Sequence, residues 1–228
     1  MIQALIFDLD GVLVDSEHVW DEVREELASE RGGRWHERAQ ADMMGMSSVE
    51  WSRYMRDVIG VRGTPEEIDA EVVARMRRRY EDQLPLIDGA RDAVRRMSAD
   101  FRLGLASSSN RPLIDAVLSA AGIADLFSAT VSSEEVPRGK PAPDVYLEAA
   151  RQLGVEARAC AAIEDSGNGI AAAHAAGMRV IALPNRCYPP PAEMLGLADL
   201  IVDSMGELTR EAVAGSDASS GPPSSSPQ

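Results

Sequence analysis

From Phe101 onward, short apolar runs alternate with alanine-rich stretches of helical period, and this alternation narrows the possible folds more than any other feature of the chain. Phe101 to Ala106 precedes Leu113 to Ala121, Ala129 to Val131 precedes Pro143 to Leu153, Ala159 to Ile163 precedes Gly169 to Ala176, and Arg179 to Leu183 closes the series. Strands that alternate with helices pack as a parallel sheet covered on both faces. Ile2 to Phe7 is apolar enough to occupy the middle of such a sheet. Between Val19 and roughly Arg95 no strand pattern occurs; charged helical segments break at Gly32-Gly33, Gly60 to Pro65 and Pro85. The reading is therefore an α/β domain, residues 1–14 and 87–214, interrupted by a helical insert, residues 15–86, with Asp15-Ser16 offering the first N-cap. The Ser- and Pro-rich stretch 215–228 has no apolar periodicity and reads as a disordered tail.

A formal charge of -14 argues against nucleic acid and anionic membrane as partners, since both require a basic surface. It leaves an anionic small molecule open, because a metal and a few cations reverse the field inside a cleft. Cys160 and Cys187 form no CxxC pair and read as reduced thiols. Asp8 and Asp10 interrupt the apolar stretch that a secretory signal would need, and no segment reaches membrane-spanning length. A cytoplasmic monomer is the expectation.

In open parallel sheets, ligands collect outside the carboxyl ends of the strands. Asp8 and Asp10 stand at the end of the first apolar run, followed by Gly11, where the chain turns. One carboxylate can attack phosphorus while its neighbour carries the leaving group's proton, and the pair suits magnesium; a solvated turn has the same composition. Ser107-Ser108-Ser109-Asn110 follows Ala106, as an anion site or as simple helix capping. Lys140 lies in the proline-stiffened loop Gly139-Lys140-Pro141-Ala142-Pro143-Asp144, aimed at a phosphate or solvated. Glu164-Asp165-Ser166 follows Ile163, as a metal site or another capped turn.

In this order and context the segments resemble the haloacid dehalogenase superfamily, in its β-phosphoglucomutase-like branch of phosphatases and mutases. The likeness rests on Phe7 to Ser16, Leu105 to Asn110, Gly139 to Asp144, Ile163 to Ser166 with Gly169-Ile170, and Ala175 to Met178, and covers about residues 1–210. It implies a Rossmann-like core with a helical cap inserted after the first strand. It also implies Asp8 as nucleophile and metal ligand, Asp10 as general acid/base that reaches the metal through its carbonyl, Ser107 and Lys140 as phosphate holders, and Asp165, supported by Glu164, as a Mg2+ site. The paired acid Asp10 points to phosphate chemistry rather than dehalogenation. A phospho-accepting receiver module is half this length and has no cap.

Between phosphatase and mutase the cap decides. Mutase relatives carry a His where this chain has Trp20 and an Arg where it offers Ser48; His18 is a possible substitute for the first. Glu17 and Trp20 instead resemble hexose-phosphate phosphatases, so Glu17, Trp20, Ser108 and Asn110 are the expected substrate contacts, although Trp20 also reads as a cap-core aromatic. Arg75 and Arg77 to Arg79 are further candidates, unless they form a solvated face. The expectation is a Mg2+-dependent phosphatase of small phosphorylated metabolites, with sugar phosphates as the best class.

Overall fold

In the computed structural model, which describes residues 1–44, 46–186 and 188–215, six parallel strands form one sheet in the order β3-β2-β1-β4-β5-β6. The strands are β1 (Ala4–Phe7), β2 (Arg102–Ser107), β3 (Phe127–Ser132), β4 (Cys160–Glu164), β5 (Arg179–Ala182) and β6 (Leu200–Ile201). The expectations for Cys187 and for the tail beyond Gly215 fall outside the described residues; Cys160 is a buried free thiol. Strand β6 was not anticipated, because two residues carry no periodic signal.

β1 occupies the centre. Phe7 lies opposite Leu105 of β2 on one side and Ile163 of β4 on the other. All four residues of β1 are buried, and they alternate between faces as a pleated strand requires. Leu5 and Phe7 belong to a core that includes Val94, Leu113 and Val117, whereas Ala4 and Ile6 belong to one that includes Tyr146, Ala149 and Ile170. The first of these cores also takes in Val23, Leu27, Met55 and Ile68, so the helical insert shares buried apolar surface with one face of the domain.

The insert comprises α1 (Glu17–Glu30), α2 (Ala39–Met43), α3 (Ser48–Tyr54), continued by a π-helical turn at Met55–Ile59, and α4 (Pro65–Asp82). Helix α4 begins as its sequence dictates: Pro65 is at its first position, and Thr64 forms a reciprocal capping box with Glu67. Helix α1 departs from that pattern. Ser16 stands at the N-cap position but its side chain makes no capping bond. The chain enters and leaves the insert side by side, with Asp15 N donating to Pro85 O at 2.8 Å and Ile87 N to Leu13 O at 3.0 Å. It then continues through α5 (Ala90–Met97), α6 (Arg111–Ala121), α7 (Asp144–Leu153), α8 (Gly167–Ala175), α9 (Ala192–Leu195) and α10 (Arg210–Ala214). Among the described residues, no helix is long and apolar enough to cross a membrane.

Candidate active site

The carboxyl ends of β1, β2 and β4, the three central strands, converge beneath the insert. Asp8 follows β1 directly and is held in line with the sheet by its amide, which donates to Ile163 O at 3.0 Å. Glu164 ends β4, with Asp165 next to it. Oxygen atoms of Asp8, Glu164 and Asp165 lie within 4.8 Å of one another, and all three residues are buried. Two glycines permit this crowding. Gly11 has φ +75°, and a Cβ there would lie 1.8 Å from Asp165 Oδ2; a Cβ at Gly169 would lie 1.9 Å from the Glu164 carboxyl group.

Lys140 reaches into the cluster from the loop before α7. Its Nζ lies 2.9 Å from Asp8 Oδ1 and 2.6 Å from Glu164 Oε1, and it donates to Ala106 O at 3.1 Å. Glu164 also accepts from Tyr146 Oη at 2.6 Å and, on its other oxygen, from the Asp165 and Ser166 amides and Ser166 Oγ. Both of its oxygens are thus engaged. Asp8 Oδ1 differs: it makes its ion-pair contact with Lys140 but has no partner of hydrogen-bond geometry. Three carboxylates against one ammonium leave two negative charges over. Burial, then the Glu164 charge, pushes Asp8 up to about 8, against the pull of Lys140. Burial followed by the charges of Glu164 and Asp8 drives Asp165 well above the carboxylate range. An all-oxygen donor set with an orphaned buried carboxylate oxygen and two charges in excess fits a hard divalent cation, with Asp8 and Asp165 as ligands and Glu164 behind them.

Asp10 turns its carboxylate the other way. Oδ2 accepts from Ser109 Oγ at 2.6 Å, and Oδ1 accepts from Ser16 Oγ at 2.5 Å and from Trp20 Nε1 at 3.1 Å. This explains the missing cap on α1: the Ser16 hydroxyl serves Asp10. The Asp10 carboxylate is therefore not a member of the metal cluster, which leaves its main-chain carbonyl for the metal contact that the resemblance implies.

A cavity of about 50 Å³ lies between Asp8, Asp10, Lys140 and Asp165 on the sheet side and Glu17, Trp20, Arg24 and Trp51 on the insert side. Ser108 lines it as well, with its buried Oγ unpartnered. Ser107 does not line it; its Oγ accepts the Ser109 amide at 2.9 Å and fixes the turn that presents Ser108 and Ser109. Asn110 is likewise turned away from the cavity. Its amide donates to Asp69 of α4 at 3.1 and 3.2 Å and to Glu134 at 2.8 Å, while Ser48 of α3 donates to Glu134 at 2.9 Å. These two residues tie the insert to the domain at its edge, in place of the expected substrate contact by Asn110.

The arginine run is elsewhere. Arg75 pairs with Glu30 and Glu71, Arg78 lies 4.0 Å from Glu71, and Arg79 pairs with Glu22 and Glu26; none of these arginines lines the cavity, so the solvated reading of the run holds. The cation of the insert wall is Arg24, which sequence reasoning missed as one more charge in an acidic helix. Its guanidinium carbon sits 4.4 Å from the Trp20 ring and 4.8 Å from the Trp51 ring, and NH1 donates to Gln40 Oε1 at 3.1 Å. Two desolvated cation-π contacts contribute roughly 0.5–2 kcal/mol each. Gln40 in turn donates to Glu17 Oε2 at 2.7 Å. Burial, then the Asp10 charge, pushes Glu17 up to about 7, with Arg24 pulling it down.

Comparison with known proteins agrees with this geometry. A family model described as haloacid dehalogenase-like hydrolase matches residues 2–177. Hexitol phosphatase B of Escherichia coli (strain K12) is 35% identical over 236 residues, an alignment that spans 94% of this chain and 97% of the relative. The crystal structure of CbbY from Rhodobacter sphaeroides in complex with phosphate superposes with a TM-score of 0.80 at 28% identity, covering 91% of this chain and 96% of that one. A β-phosphoglucomutase from Clostridium difficile gives 0.79 at 26% identity, with 92% and 95% covered.

Proposed function

Because the chain belongs to the haloacid dehalogenase-like hydrolase family, we propose that it is a Mg2+-dependent phosphatase that cleaves small sugar or polyol phosphates through a phosphoaspartate on Asp8. The observation that carries this reading is the meeting of Asp8, Asp10, Lys140 and Asp165 on one cavity wall at the ends of the central strands. The likeness to hexitol phosphatase B over nearly the whole of both chains supports the polyol class.

Each residue has a physical task in this scheme. Asp8 attacks phosphorus and forms an acyl phosphate, while Asp10 gives a proton to the leaving oxygen. Asp10 then takes a proton from the water that attacks the acyl phosphate, which returns Asp8 as a carboxylate. Lys140, buried beside Asp8, offsets the charge on the transferring group, and Ser108, presented by the turn that Ser107 fixes, offers it an unpartnered hydroxyl. A magnesium ion held by Asp8 and Asp165 would supply the charge that keeps Asp8 ionised and draws the phosphate in. The cavity is well below the roughly 300–1,000 Å³ of a typical ligand pocket, so substrate entry requires the insert to move away from the sheet.

Trp20 favours hydrolysis over mutase chemistry. Its indole only donates, and it donates to Asp10 directly, so it cannot act as the hydrogen-bond acceptor that a His at this position can be. Phosphorus NMR of the purified protein with magnesium tests the whole proposal. The expected product from sugar and polyol phosphates is inorganic phosphate, lost on adding EDTA or in Asp8→Asn. Glucose 6-phosphate accumulating from β-glucose 1-phosphate faster than free phosphate would overturn it in favour of a mutase.

A further inference from the structure

Arg24 is a buried guanidinium with an unmet hydrogen-bonding need. It is 4% exposed, lines the cavity, and its Nε has no partner although NH1 is bonded to Gln40. A buried polar atom without a partner calls for an explanation, and a ligand is one that the position on the cavity wall supplies. The indoles of Trp20 and Trp51 stand against the guanidinium, which favours approach along its edge.

Glu17 lines the same wall and is linked to Arg24 through Gln40, which donates to Glu17 and accepts from Arg24. The wall therefore offers an acceptor and a donor near two aromatic surfaces. A hydroxyl group both donates and accepts, so a polyhydroxylated carbon chain can satisfy both, with its C–H faces against indole. A second phosphate or carboxylate cannot: it finds one cation but also the Glu17 carboxylate, which can only accept while ionised.

Resting on the phosphatase reading above, we propose that Arg24, packed against the edge-to-face pair Trp20 and Trp51 and coupled to Glu17 through Gln40, is the specificity-determining residue that reads neutral hydroxyls on the non-reacting part of the substrate. Arg24 selects polyol monophosphates against deoxygenated esters, and the Glu17 carboxylate beside it selects against doubly phosphorylated ones. The reacting phosphate stays with Asp8, Lys140 and the metal on the opposite wall.

The test compares three phosphate esters in the full-length protein with magnesium: a six-carbon polyol 6-phosphate, hexyl phosphate of equal length without hydroxyls, and the corresponding polyol 1,6-bisphosphate. The wild type is expected to favour the polyol monophosphate in kcat/KM over either of the others by about 10- to 100-fold, the range that hydrogen bonds to a charged group provide. In Arg24→Met, the ratio of polyol monophosphate to hexyl phosphate should collapse toward one, whereas the discrimination against the bisphosphate, which Glu17 provides, should persist. Arg24→Lys keeps the charge and stem but lacks the Nε donor, should lose most of the ratio, and covers the case in which the Met variant does not fold. A general loosening of the insert would lower all three rates together and leave the ratios unchanged; that result overturns the proposal. Wild-type hydrolysis of all three esters without preference also overturns it, while the phosphatase reading stands. Failure to release phosphate from any ester overturns both.

Discussion

The indole of Trp20 donates its N–H to Asp10 Oδ1 across 3.1 Å, which ties a helix of the insert to a carboxylate of the sheet domain. Together with Ser16 and Ser109 it supplies three donors to one carboxylate and fixes its plane. If the insert opens to admit substrate as proposed, the Trp20 contact would break, and Asp10 would be fully oriented only in the closed arrangement.

Trp20→Phe probes that contact, because it removes the donor while keeping a smaller aromatic ring beside Arg24. A fall in kcat of about 5- to 20-fold is expected, with magnesium affinity unchanged, as for one hydrogen bond to a charged group. Steady-state kinetics and a magnesium titration check this. Loss of metal affinity alongside kcat would show that Trp20 acts through the fold instead.

Asp10 and Asp165 should separate in mutagenesis. Asp10→Asn removes the proton carrier and is expected to lower turnover by roughly two to four orders of magnitude while magnesium still binds. Asp165→Ala should weaken magnesium itself and be rescued in part by a high metal concentration. Calorimetric titration of magnesium into both variants, beside phosphate-release rates, distinguishes them; identical losses in the two would contradict the assignment.

Without a divalent cation, stability should fall as pH rises from 5 to 8. Asp8 is raised from 3.8 to about 8 and Glu17 from 4.5 to about 7, both chiefly by burial. In that window the unfolded chain has released protons that the folded chain still holds, and stability decreases with pH wherever the folded state binds more protons. Surface acids held low by arginines, such as Glu71 and Glu135, act below this window, since their contribution is lost only on acidification. Magnesium should raise Tm more at pH 8 than at pH 5, and Asp8→Asn should flatten the metal-free slope. Circular dichroism melts across the range decide it: a metal-free Tm that climbs toward pH 8 contradicts the charge balance described for the cluster.

Gly11→Ala should damage the metal site specifically. The new methyl group would meet Asp165 Oδ2, and φ +75° adds backbone strain of about 1–3 kcal/mol. A Tm lowered by several degrees and a magnesium affinity reduced at least tenfold are expected. An unchanged affinity in a folded variant would mean that Asp165 is not a ligand.

The sheet was legible in the sequence wherever a strand was buried on both faces, since such strands are continuous apolar runs bounded by turns: Ala4–Phe7, Arg102–Ser107 and Cys160–Glu164 all fall within or beside the predicted runs. β6, two residues long at the sheet edge, lacks that signature. Asp8 and Asp165 were legible for a related reason, because each stands just after a strand, and Lys140 because prolines stiffen its loop. Ser109 was passed over beside Ser107 and Ser108, since spacing alone does not say which hydroxyl faces Asp10. The insert wall was read less well. Charge in a helix says nothing of which arginine is buried, and only packing separates Arg24, against two indoles, from Arg75 and Arg79, paired with acids.

The position of β1 between two late partners bears on how the molecule comes into being. Phe7 pairs with Leu105 and Ile163, so the strand that delivers Asp8 must wait for both neighbours through most of chain elongation. Closing such distant pairs is entropically slow, whereas the helices of the insert rest on nearer contacts and need no such delay. A nascent chain halted before Cys160–Glu164 thus contains its insert but lacks the central seam, so Asp8 is expected to be set in place among the last parts of the molecule.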